Sequence, residues 1–168
     1  MKKFLTVLAI FVSVSAYSQS EEMIREWKKT TWRLNIILTS ESVHGGAMQF
    51  AIMENDPRDS FKKDYAKLKE NSIREKRYNA EAEFSILSVA WDVQFRNVRG
   101  DDVNILYKNE MCGFSSNNPV KKYYLVTRTS VVKDKPAVWI IPFEAKIGSE
   151  QDITLGDGNF IFLNTIAE

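Results

Sequence analysis

The sequence predicts an α+β domain, mainly antiparallel β, with about eight strands in a curved sheet, barrel or sandwich. Three observations carry this. Apolar residues recur with period two over most of the chain, turn residues separate those runs at short intervals, and only one stretch shows clear helical spacing. There is no βαβ rhythm, so a parallel sheet is not expected.

The chain opens with a leader-like stretch. Met1-Lys2-Lys3 is basic, Phe4 to Val14 is almost wholly apolar, and Ala16 and Ser18 sit where a signal peptidase reads small residues. The apolar run is shorter than the ~20 residues a spanning helix needs. Residues 1–18 are therefore read as a secretory signal peptide, cut before Gln19, and 19–168 as a single globular domain. No cysteine follows the cut, so no lipid anchor is expected, and no later apolar stretch reaches membrane-spanning length. The expected location is exported, periplasmic or extracellular.

Loss of Lys2 and Lys3 brings 23 basic side chains to 21 against 22 acids, formally −1. That balance gives no attraction toward nucleic acid or anionic membrane. Four Trp, six Tyr and ten Phe supply ample apolar area for one core.

The elements follow in order. Met23, Ile24 and Trp27 suit a short N-terminal helix. Trp32, Leu34, Ile36 and Leu38 alternate with Arg33, Asn35, Ile37 and Thr39, a half-buried strand. A loop with His44-Gly45-Gly46 leads to Met48, Phe50 and Ile52, a second strand expected antiparallel to the first. Asp56-Pro57 is a helix start, with Asp56 as cap and Pro57 at the first position. Phe61, Tyr65 and Leu68 then give an amphipathic helix over 57–71. Residues 78–97 read as strand, with the apolar parity changing between Ile86 and Leu87 through a bulge or bend. Arg99 to Asp102 turns the chain into Val103, Ile105 and Tyr107, so 84–108 reads as a hairpin. Tyr123, Leu125 and Thr127 begin the next strand. Lys133 to Pro136 is a turn that keeps Pro136 outside the ladder, and Pro142 places its strand at an edge or a bulge. The tight turn Gly156 to Asn159 joins the last two runs into a closing hairpin.

Trp32 on a first strand is similar to the strand tryptophan of lipocalin-like proteins. The glycine usual two residues earlier is Thr30 here, and the helix at 57–71 departs from that plan, so no family is assigned.

The chemistry is sparse. Cys112 is the only thiol and His44 the only imidazole, and a nucleophile–base pair needs both within hydrogen-bond reach plus an orienting group. A zinc site needs about three or four protein ligands, drawn largely from His and Cys. The turn acids Asp101, Asp102, Asp152 and Asp157 follow no calcium-loop spacing. No phosphate-cradling or nucleophile-elbow glycine motif occurs. No catalytic residue, cofactor or metal is assigned. Candidate ligand-binding residues are His44 in its glycine loop, the strand aromatics Trp91 and Trp139, and Asp92 and Arg96 on the face opposite Leu87 to Phe95.

The expected function is a non-catalytic exported binding or interaction module, with a small apolar ligand or a protein partner. A disulfide-linked dimer through Cys112 is open to an exported chain. The alternatives are a small enzyme with a polar site in a concave sheet, and an eight-stranded outer-membrane barrel.

Overall fold

A computed structural model describes residues 23–26, 28–43, 46–98, 103–118 and 121–168. The signal-peptide reading, His44 and the turn at 99–102 lie outside them. Residues 23–26 and 28–30 are helical (α1), in line with the N-terminal expectation. The chain then runs β1 (Trp32–Leu38), β2 (Ala47–Met53), α2 (Arg58–Arg74), α3 (Ala80–Arg96), β3 (Val103–Tyr107), β4 (Met111–Ser116), β5 (Lys121–Thr127), β6 (Ser130–Val132), β7 (Lys135–Val138), β8 (Ile140–Ala145), β9 (Glu150–Leu155), β10 (Ile161–Phe162) and α4 (Leu163–Ala167). The fold is α+β and mainly antiparallel, as the alternation predicts.

The strands form three open sheets, ordered β4-β1-β9, β3-β2-β5-β8 and β10-β7-β6. They do not close, which sets the barrel readings aside. The first two sheets enclose one apolar core. Trp32, Leu34, Ile36 and Leu38 of β1 share it with Met48 and Phe50 of β2, Leu106 of β3, Tyr123 and Leu125 of β5, and Phe143 and Ala145 of β8. The opposite face of the four-stranded sheet makes a second core with the helices. There Val126 and Ile140 meet Phe61 and Tyr65 of α2, Leu87, Ala90 and Trp91 of α3, and Leu163 and Ile166 of α4. The middle sheet is thus apolar on both faces, which explains consecutive buried pairs such as Phe50-Ala51 and Leu125-Val126.

Several expectations are corrected. Residues 80–96 are helix α3, not strand. Its buried residues Leu87, Ala90, Trp91, Gln94 and Phe95 fall at i, i+3, i+4, i+7 and i+8. The parity change near Ile86 is that helical stripe sampled two residues at a time. No hairpin spans 84–108; β3 pairs with β2 instead, Gln49 opposite Ile105. Nor does β2 pair with β1. Strand β1 lies between β4, antiparallel with Ile36 opposite Cys112, and β9, parallel with Ile36 opposite Ile153. That parallel pair joins the two ends of the domain, so no local rhythm announces it. β9 and β10 lie in different sheets and form no hairpin.

The proline expectations divide. Pro142 lies on edge strand β8, as expected. Pro136 lies inside β7, opposite Val131. It is tolerated because β10 is two residues long and its pairing stops at Ala137, so no ladder partner meets Pro136 on that side. At the start of α2 the cap position is Pro57, whose carbonyl accepts from the Phe61 amide, and not Asp56 as expected; Asp56 sits one residue earlier and its Oδ1 accepts from the Arg58 amide at 3.1 Å. The helix ends at Arg74, one turn beyond Asn71, where Lys76 turns left-handed at φ 58°.

Candidate functional site

At one end of the sheet pair, where β2 runs out toward α2 and α3 ends, three structural layers fail to meet. The gap is an open cleft of about 650 Å³, within the usual range for small-molecule sites. Trp32 of β1 and Phe114 of β4 form one wall, and Ile52, Met53 and Tyr123 form the floor. The turn Glu54 to Pro57, Ser60 of α2 and the α3 end at Gln94, Asn97 and Val98 form the far side.

The aromatic wall is a packed set. The Trp32 ring centroid lies 5.5 Å from Phe114, 5.6 Å from Tyr123 and 5.7 Å from Phe143, and Tyr123 stacks on Phe143 at 5.8 Å. Such tilted and offset contacts suit the quadrupoles of the rings. The polar ends of two rings are not matched. Trp32 is 2% exposed and Tyr123 3%, yet among the described residues neither the indole Nε1–H nor the phenol OH has a hydrogen-bond partner. A buried group left unpaired costs about 1–3 kcal/mol.

Arg58 Nε, in the first turn of α2 beside the cleft, is likewise buried without a hydrogen-bond partner among the described residues. Gln94, buried at the cleft edge, donates from Nε2 to Asp64 Oδ2 at 2.6 Å. Asp56 faces the Arg58 guanidinium at 3.6 Å. Among the described lining residues the charged groups are Glu54 and Asp56, both acids, with no lysine or arginine. The described lining residues include no histidine or cysteine. Among the described residues, no group of three or more His, Cys, Asp or Glu side chains is gathered for a metal ion.

The sequence-nominated residues lie elsewhere. Trp91 is fully buried under the middle sheet and donates from Nε1 to the Thr127 carbonyl at 2.9 Å, fastening α3 to β5. Trp139 is fully buried between β7 and β8, its Nε1–H shared by the Gly156 carbonyl at 3.1 Å and Asn159 Oδ1 at 2.8 Å. Asp92, half-buried on α3, meets Arg128 Nε at 3.4 Å. Arg96 is exposed in the last turn of α3. The structure gathers none of these four into the cleft. Asp92 instead borders a smaller concavity of about 410 Å³ through Arg128, which also donates to Gln49 Oε1 at 3.2 Å. Cys112 is half-buried on β4, and burial pushes its thiol pKa up, away from thiolate chemistry.

Trp32 and Tyr123 are visible in the sequence as strand aromatics, but nothing there separates an aromatic with a satisfied polar end from one without. Comparisons with protein-family models, curated proteins and solved structures return no match. No described helix is long and apolar enough to cross a membrane.

Proposed function

We propose that this chain is an exported binding module and that the aromatic cleft holds a small ligand. The unpartnered pair, Trp32 Nε1–H and Tyr123 OH in the wall of the cleft, is the observation that carries the reading. A wall built only for packing would cost less with phenylalanine at both positions, since each unpaired polar end is a penalty without return. An occupant bringing hydrogen-bonding oxygens to these groups converts the penalty into binding free energy. Both polar atoms are buried, so an occupant reaches them only if a ring of the lining moves. Phe114 is the ring placed to give way, half-buried on edge strand β4 and 5.5 Å from Trp32.

Export rests on the charge and hydropathy pattern of residues 1–18. A binding role agrees with a cleft whose described lining is rich in aromatics and neutral polar groups. Asp92, nominated for the enzyme alternative, pairs with Arg128 at 3.4 Å and is not among the residues lining the cleft.

Native mass spectrometry of the protein taken from its own exported fraction tests both parts. The expected result is a polypeptide beginning at Gln19 that carries a small-molecule mass excess lost on denaturation. Ser60→Trp, at an exposed position on the cleft mouth, should fold normally and lose the adduct. A bare wild-type mass, or an adduct retained by the blocked variant, removes the cleft as the binding site.

A further inference from the structure

We infer that one side of the sandwich, the neighbouring edges β3 and β4, joins a second copy of this chain, so that both sheets run on across a two-fold axis. The outward backbone comes first. Arg33 of β1 and Thr39 just past it donate to the Ser149 and Leu155 carbonyls on the β9 side, while the Leu38 carbonyl accepts from Asn109 on the other side. Odd-numbered residues of β1 therefore bond toward β9 and even-numbered ones toward β4. Cys112, Phe114 and Ser116 thus spend their backbone groups on β1, and Met111, Gly113 and Ser115 turn theirs outward. The same reasoning applies to β3. Gln49 accepts from Arg128 on the β5 side and Gly46 from Lys108 on the β3 side. Asn104 and Leu106 therefore bond β2, and Val103, Ile105 and Tyr107 turn outward. Among the described residues no strand lies beyond either edge. Met111, Ile105 and Tyr107 are 64%, 52% and 52% exposed, and Gly113, whose only heavy atoms are main-chain, is exposed too.

The opposite side of the sandwich is guarded. There Pro142 of β8 offers no N–H, the Glu144 carbonyl accepts from the Gln151 side chain of β9, and Glu150 and Asp152 put charge on the edge. Such features keep sheet edges from pairing. Neither Val103–Tyr107 nor Met111–Ser116 contains a charged residue or a proline.

Charge and symmetry commit these edges to a second copy. Two neutral strands laid antiparallel to their own copies oppose no like charges. The outward set of β4 is centred on Gly113 and that of β3 on Ile105. A two-fold axis through both sets Gly113 against the partner's Gly113 and Met111 against the partner's Ser115. It also sets Ile105 against the partner's Ile105 and Tyr107 against the partner's Val103, an aromatic–β-branched pair. Both centres lie four residues from Asn109, where the chain passes from one sheet to the other, so they stand at one height and one axis serves both sheets. A single extended peptide would cover one edge, whereas a copy covers both. Cys112 falls opposite the partner's Phe114 with its side chain against the core between the sheets, so the pairing needs no disulfide. Five residues of β3 and six of β4 fall short of the ~20–30 a side of a standard interface, which makes the dimer weak and concentration-dependent.

Sedimentation velocity of the mature protein from about 1 µM to about 1 mM tests this. The expected result is a monomer that becomes a dimer as concentration rises, equally with and without reductant, while amide hydrogen exchange at Ile105 and Gly113 slows with the dimer fraction. Ile105→Lys and Ile105→Glu, at an exposed position, should each fold and should each weaken the dimer by at least about tenfold, because each sets like charges against one another at the axis. An equimolar mixture of the two variants should restore it. A monomer at every concentration, a dimer lost in reductant, a dimer that either variant leaves intact, or a mixture that stays monomeric overturns the inference.

Discussion

Asp157 shows how much one exposed carboxylate can organise. It accepts from the Ser40 hydroxyl and from the Ser42 and Glu41 amides, at 3.3 Å for each amide, and so closes the turn after β1 against the turn after β9. The Ser40 hydroxyl, then the Ser42 contacts, favour the charged form and hold the Asp157 carboxyl below the ordinary carboxylate range. A pKa lowered on folding adds stability that is present above the unfolded value, about 3.9 for aspartate, and is lost as pH falls through the folded value. The melting temperature of the wild type should therefore fall more steeply below about pH 4 than that of Asp157→Asn, the two curves converging in acid. Parallel curves across that range would show that the turn gains nothing from the charge.

Helix α3 depends on its first residue in a comparable way. Asn79 is extended, and its Oδ1 accepts from the Ala82 amide at 2.8 Å, with Glu81 and Glu83 in the first turn and Arg96 in the last. These charges complement the helix dipole. Asn79→Ala should cost about 1 kcal/mol in denaturant unfolding, and Asn79→Asp should restore most of it. A silent Ala variant would mean that packing alone sets the helix start. The same residues were the legible sign of a helix in a segment whose Phe, Ile, Val and Trp content reads as strand. Seventeen residues with a cap signal exceed an ordinary strand, and Leu87, Ala90, Trp91, Gln94 and Phe95 carry the 3.6 period. Strands β1, β3 and β5 were readable because one residue in two is buried or because flanking turns delimit them. Their partners were not, since the β1–β9 pairing spans the domain and depends on register, which alternation leaves open. The cleft was less legible still. Trp32 and Tyr123 are core aromatics by every sequence criterion, and their unmatched polar ends exist only once the surrounding chain is placed.

At the scale of the molecule, the four-stranded sheet belongs to two cores at once, and this makes separate melting of the layers unfavourable. Stripping α2, α3 and α4 away would expose Val126 and Ile140 to water and break the Trp91 indole bond to the Thr127 carbonyl. Thr127 is itself tied across the sheet, its hydroxyl accepting from the Trp139 amide at 3.0 Å and its own amide donating to the Trp139 carbonyl at 3.1 Å. Trp139 lies in the core between the sheets. Damage to the helical layer therefore reaches the sandwich through one short chain of bonds, from Trp91 to Thr127 to Trp139. Trp91→Ala should cost about 3–5 kcal/mol, the range for truncating a large core aromatic. It should do so without splitting the transition, so that far-UV circular dichroism, reporting all layers, and the fluorescence of the remaining tryptophans lose signal at one denaturant concentration. If the fluorescence of Trp32 and Trp139 survived beyond loss of the helical signal, the sandwich would be an independent unit, and the shared sheet would not couple the two cores.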